Sequence, residues 1–211
     1  MLANILSKLF GLVHHVCDIC CEAGSGKMSS WSSSRASRIP LATSRGGALD
    51  VYGLDLDDLQ SERRYNGTVA YNSSKLANAL FTLELDRRLR TAQRPTISVA
   101  AHPGVAVTNL HAAGPSLDGA TFKTRSVVLL TRFLGQSSEC GARPQLYAAT
   151  MPDMQSGEFI GATGFREIRG APGRVEFSRA ALDPATAERL WAESERLAGT
   201  RFEIGHLPNS P

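Results

Sequence analysis

From Val69 to Arg90 the apolar positions return with a helical period. Leu76, Leu80 and Leu83 form one row, and Phe81, Leu85 and Leu89 form another. Such rows predict an amphipathic helix with a buried face. Thr96 to Ala101 is instead a short run rich in β-branched residues, stopped by His102-Pro103-Gly104, and it predicts a buried strand. Further helices are predicted near Thr121–Leu134, over Ser138–Thr150 and from Pro184 to Leu197. A short strand is predicted at Gly157–Gly161, between its two glycines. Upstream, Met28 to Ser34 predicts a strand that runs into a serine-rich turn. Arg35 to Gly53, with Pro40, Gly46 and Gly47, predicts an exposed loop, and Leu54 to Gln60 a short turn of helix. Helices alternating with short apolar strands predict one α/β domain over residues 1–211. Its parallel sheet should have strands near 28–33, 96–101 and 158–161.

The N-terminal stretch Leu2–Cys21 is apolar enough to raise the question of targeting. Leu2, Ile5, Leu6, Leu9, Val13 and Val16 fall on one helical stripe, while Asn4, Ser7, Lys8, His14, His15 and Asp18 fill the other face. A signal core or membrane span is apolar all round, so an amphipathic helix packed on one side is expected, with no membrane span. The chain has 211 residues, 42% of them hydrophobic, which is enough for one domain with its own core. Its 23 basic and 20 acidic residues leave a net charge of +3, scattered and without interleaved aromatics, so nucleic acid is not an expected partner.

Three of the four cysteines, Cys17, Cys20 and Cys21, crowd into one segment, which is not the spacing of a disulfide framework. A reducing, cytoplasmic setting fits this pattern. His14-His15 beside Cys17 and Cys20 offers a zinc or redox reading. No second ligand pair follows, and these cysteines lie on or beside the apolar stripe, so no metal site is assigned.

Tyr71 and Lys75 stand four residues apart near the start of the strongest helix, on one face of it. A phenol is a poor base at neutral pH, and a fixed cation beside it favours the phenolate. Such a tyrosine can exchange the proton of an alcohol or carbonyl while a cofactor moves the hydride. Many helices carry a Tyr and a Lys at this spacing without any such use. The context makes the pair specific: Tyr71-Asn-Ser-Ser-Lys-Leu-Ala-Asn78 is followed by Ile97-Ser-Val-Ala-Ala-His-Pro-Gly-Val105 and Thr108-Asn109-Leu110. Asp57-Asp58-Leu59-Gln60 precedes it, and Leu190-Trp-Ala-Glu-Ser-Glu-Arg-Leu-Ala-Gly199 closes the pattern.

From Lys27 to Phe202 the chain resembles the short-chain dehydrogenase/reductase family, in its retinol-dehydrogenase-like branch. The resemblance implies part of a Rossmann-like, doubly wound parallel sheet with flanking helices. It also implies interconversion of a small-molecule alcohol and a carbonyl with NADP or NAD, and it allows a homodimer. It makes Tyr71 the general acid/base. Lys75 would support Tyr71 and bond the nicotinamide ribose. Pro103, Gly104 and Val105 would hold the nicotinamide carboxamide through Val105 backbone groups, assisted by Thr108. The substrate-polarising serine belongs at the end of a strand, in a hydroxyl pair. Ser32, Ser33 and Ser34 all qualify, and Ser34 is preferred because Arg-Ala-Ser follows it. Asn4 stands near where the family carries an active-site asparagine. The Gly-rich turn that cradles the pyrophosphate has no counterpart in these residues: Gly24-Ser-Gly26 precedes the serine segment rather than a helix. The chain is therefore expected to lack most of the dinucleotide-binding half and to bind NAD(H) and NADP(H) weakly. The competing expectation is a catalytically inactive remnant that serves as a structural or dimerising module.

Overall fold

A computed structural model describes residues 38–44, 53–105, 136–202 and 204. The strand expected at 28–33 and the helices expected at Leu2–Cys21 and Thr121–Leu134 lie outside the described residues. In chain order the elements are β1 (Arg38–Ala42), α1 (Gly67–Thr91), β2 (Ile97–Ala101), α2 (Ser138–Thr150), β3 (Phe159–Ala162), β4 (Pro172–Arg174) and α3 (Pro184–Ala198), with single 3-10 turns at Phe165–Glu167 and Ala180–Leu182. The strands form one sheet in the order β1-β2-β3-β4. β1 pairs parallel to β2 from Arg38 opposite Ile97 to Ala42 opposite Ala101, and β2 pairs parallel to β3. β4 runs antiparallel to β3. The sheet is thus mostly parallel, with helices on both faces.

α1 starts where Asn66 accepts hydrogen bonds from the Thr68 and Val69 amides at 3.0 and 3.2 Å, satisfying two amides that the helix itself leaves unpaired. Its last turn holds Arg88 and Arg90, cations at the negative end of the helix dipole. The two apolar rows take different partners. Leu76 and Leu80 pack with Leu190 of α3, while Phe81, Leu85 and Leu89 pack on Ile39 and Leu41 of β1 and on Trp191. Leu83 is only half-buried, and Glu84 occupies the neighbouring buried position. On the opposite face of the sheet, Val99, Ala101 and Ile160 meet Ala148 of α2 and Met154.

Three expectations are corrected. Arg38–Ala42 is a strand, not part of an exposed loop, with Ile39 and Leu41 each 2% exposed. Pro40 suggested a loop, yet among the described residues β1 pairs on one side only, where a missing N–H costs least. Leu54 to Gln60 forms turns rather than helix, with Leu59 buried in the α1–α3 core. The antiparallel β4 was not anticipated, because Pro-Gly-Arg carries no strand signal of its own.

Glu84 makes the interior of α1 sensitive to acid. Burial alone pushes its carboxyl up, but hydrogen bonds from Arg87 and Arg88 outweigh this and hold it below the usual carboxylate range. Those bonds are 2.7 and 2.8 Å from Arg87 and 2.6 Å from Arg88. A carboxylate whose folded value lies below its unfolded one stabilises the protein above the unfolded value. That stability is lost as pH falls through the folded value. Glu84→Gln should therefore cost about 1–3 kcal/mol at neutral pH, the worth of charged hydrogen bonds, and progressively less in acid. Urea titrations at about pH 7 and about pH 3 check this; an equal cost at both sinks it.

Candidate active site

In parallel strands the carboxyl ends lie together, so the end of β1 and the end of β2 open on the same side of the sheet. Two bonds fasten the beginning of α1 there. The Thr43 hydroxyl donates to the Lys75 carbonyl at 2.7 Å, and the Asn78 amide donates to the Ala42 carbonyl at 2.7 Å. Thr43 also continues the ladder, its N–H donating to Ala101 at 2.9 Å. These contacts set the third and fourth turns of α1 against the point where β1 ends. Ser73 adds a bond to the Gly53 carbonyl at 3.1 Å.

Tyr71 is 45% exposed, so its side chain lies at the surface rather than in the core. The Lys75 ammonium lies 5.6 Å from the centre of the Tyr71 ring, so the two side chains do share a face of the helix. Beyond β2, His102 donates its amide to Ile160 at 2.9 Å. Pro103 and Gly104 then turn the chain, with Gly104 at φ +67°. A side chain on Gly104 would be strained by that angle, and its Cβ would stand 2.5 Å from the Ile168 carbonyl oxygen. Gln136 braces the same turn by donating its side-chain amide to Pro103 at 2.6 Å.

Val105 has both backbone groups engaged. Its N–H donates to Ile168 at 2.8 Å, and its carbonyl accepts from Gln136 N–H at 2.9 Å. A carboxamide held by Val105 would have to exchange with these partners. Ser32, Ser33, Ser34, Asn4 and Thr108 lie outside the described residues, as do Cys17, Cys20 and Cys21. Sequence reading overlooked Ser44, one residue past Thr43 at the carboxyl end of β1. The signal was present: Ile39, Leu41 and Thr43 alternate with the period of a strand and lead into a hydroxyl pair. Pro40 concealed it. Among the described residues no group of three potential metal ligands occurs, and no helix is long and apolar enough to cross a membrane.

The chain is similar to several known proteins. Retinol dehydrogenase 13 of Homo sapiens is 38% identical over 149 residues, covering 69% of this chain and 41% of that protein. Retinol dehydrogenase 14 of Homo sapiens is 35% identical over 172 residues, covering 79% and 46%. Polyprenol dehydrogenase of Mus musculus is 35% identical over 159 residues, covering 73% and 43%. The chain thus spans less than half the length of these relatives. No protein-family model matches it. Among solved structures, an uncharacterised protein from Mycobacterium paratuberculosis superposes with a TM-score of 0.59 at 34% identity, covering 80% of this chain and 53% of that one.

Proposed function

Because the chain belongs to the short-chain dehydrogenase/reductase family, with retinol dehydrogenases among its homologues, we propose that it carries the catalytic part of an NAD(P)-dependent oxidoreductase acting on a small alcohol or carbonyl compound. The observation that supports this most is the exposed Tyr71–Lys75 pair, fastened by Thr43 and Asn78 to the carboxyl end of a parallel sheet. The residues fit the nicotinamide end of such a cofactor: a phenol and an ammonium on one helix face, and a glycine turn at the end of β2 with room for no side chain. When bound, NAD or NADP supplies or accepts the hydride.

The chain's own residues handle the oxygen and the proton. Tyr71 gives a proton to the carbonyl oxygen in reduction and takes it from the alcohol in oxidation. Lys75 holds a positive charge beside the phenol and offers donors to the ribose. A serine hydroxyl donates to the same substrate oxygen and stabilises charge developing there. That hydroxyl is assigned to Ser44 in preference to Ser34, because Ser44 directly follows the strand that Thr43 ties to α1. Pro103, Gly104 and Thr108 shape the nicotinamide side, and Asn4 is left as a candidate. A cytoplasmic location and a homodimer belong to the same reading.

A second reading, a non-catalytic structural or dimerising module, draws on one observation: the Val105 N–H and carbonyl are both engaged within the protein. The pyrophosphate has no Gly-rich turn among the 211 residues, and binding lost at that remote end weakens positioning of the reacting end. The test joins the chain to the Gly-rich nucleotide-binding segment of a retinol dehydrogenase relative. The 211-residue protein alone should quench or enhance NADPH and NADH fluorescence weakly and without saturation. The fusion should bind and turn over. Ser44→Ala should lower its kcat by about tenfold to a thousandfold, the usual worth of a donor to developing negative charge, and Ser34→Ala should leave it within twofold. A larger loss from Ser34→Ala would move the role back to the serine-rich segment, and a fusion that binds nucleotide yet never turns over would favour the second reading.

A further inference from the structure

The segment Gly164–Gly170, between β3 and β4, folds back over the turn that ends β2. Three contacts join the two. Val105 N–H donates to the Ile168 carbonyl at 2.8 Å, Gly104 lies directly under that same carbonyl, and the Glu167 carboxylate sits 3.1 Å from His102 Nε2. His102 is 1% exposed, and its ring centre is 5.1 Å from that of Phe159. The ring lies against Gly161, where any Cβ would run into Nε2. Its other nitrogen, Nδ1, accepts the Gly104 N–H at 3.1 Å. A nitrogen that accepts carries no proton, so in the neutral ring the hydrogen is on Nε2 and needs an acceptor. The nearest carboxylate is that of Glu167, 3.1 Å from Nε2. In the same segment the backbone takes left-handed angles at two successive non-glycine residues, Arg166 at φ 50° and Glu167 at φ 56°. Conformations of this kind persist only where the surroundings impose them.

We propose that Glu167 is a positioning residue: its carboxylate fixes His102 as the Nε2–H tautomer and, through Nδ1, sets the Gly104 N–H and the turn Pro103–Val105. That this turn faces a nicotinamide rests on the functional reading above; the coupling of Glu167 to the turn does not. Glu167 therefore acts at a distance from any reacting atom, by choosing which histidine nitrogen donates.

NMR of the 211-residue protein labelled with 15N-histidine distinguishes the two tautomers, and amide hydrogen exchange follows Gly104 and Val105. The wild-type protein should show His102 as Nε2–H. Glu167→Ala should give a mixture of tautomers and exchange at Gly104 and Val105 faster by about tenfold or more, as local opening becomes easier. Glu167→Gln, whose side-chain oxygen keeps an acceptor at the same distance from Nε2, should keep the tautomer and most of the protection. An Nδ1–H tautomer in the wild-type protein overturns the proposal. So does a Glu167→Ala protein with unchanged His102 signals and unchanged exchange, or a Glu167→Gln protein that behaves like Glu167→Ala. Titrating the nucleotide-binding fusion with NADPH and NADH keeps the two claims apart: failure to bind removes the functional reading while the tautomer result still decides the role of Glu167.

Discussion

Tyr71→Phe in the fusion with a Gly-rich nucleotide-binding segment should lower kcat by about a hundredfold to ten-thousandfold, the range that a positioned proton donor contributes. The substitution removes one oxygen and leaves the ring. Tyr71 is 45% exposed and its neighbours on α1 are held by other bonds, so folding should be little affected. The Lys75 ammonium stands 5.6 Å from the centre of the ring, not from the hydroxyl alone, so the phenylalanine ring keeps that contact. What disappears is the atom proposed to exchange a proton with the substrate oxygen. Nucleotide affinity should fall far less than kcat, because most of the binding comes from the segment supplied upstream. Steady-state kinetics with fluorescence titration make the comparison. Turnover that survives Tyr71→Phe within about threefold would remove Tyr71 from proton transfer and with it the proposed function.

Trp191→Ala should destabilise the protein by about 3–5 kcal/mol, the cost of emptying a large aromatic site in a packed core. Trp191 is 1% exposed and stacks on Phe81 with ring centres 4.9 Å apart at 16°. Phe202 meets it edge-on at 5.8 Å, and the Arg88 guanidinium lies 4.4 Å from its ring centre. Its indole N–H donates to Glu195 at 3.0 Å. Truncation would remove the stack, strip Arg88 of its aromatic cover and leave the Glu195 oxygen without this donor. Because Phe81 belongs to α1, the loss also loosens the helix that presents Tyr71 and Lys75. Urea unfolding should show a lower midpoint with an unchanged slope, and Trp191→Phe should recover about half of the loss. A Trp191→Ala cost below about 1 kcal/mol would mean that α3 does not anchor α1.

Several features were legible in the sequence for plain physical reasons. The apolar rows of α1 and the β-branched run of β2 are local patterns, and local geometry is enough to fix their type. The Tyr71–Lys75 spacing alone guarantees that both residues share one helix face. The same holds for α2 and α3, whose starts carry polar caps, Ser137 and Asp183, immediately before the helix. The helix expected at Leu2–Cys21 and the serine-rich segment that drew attention to Asn4 and Ser34 lie outside the described residues, so for them the sequence reading stands by itself.

Other features depended on partners far away in the chain. Arg38–Ala42 reads as a loop because of Pro40. It is a strand because β2 offers it a parallel ladder and α1 covers Ile39 and Leu41, and burial outweighs an unfavourable local residue. Pro172–Arg174 has no strand character until β3 lies beside it. Ser44 became a candidate only when the end of β1 was tied to Lys75 through Thr43, a bond spanning 32 positions. Glu167 and His102 are 65 positions apart in the sequence, and nothing local to either predicts that one will set the proton of the other. Periodicity and spacing determined the type of α1, α2, α3 and β2 and which helix face carries the phenol and the ammonium. Only tertiary packing decided which loops become strands, where the serine at the end of the sheet stands, and how the turn after β2 is held, because each depends on groups that sequence separation hides and burial brings together.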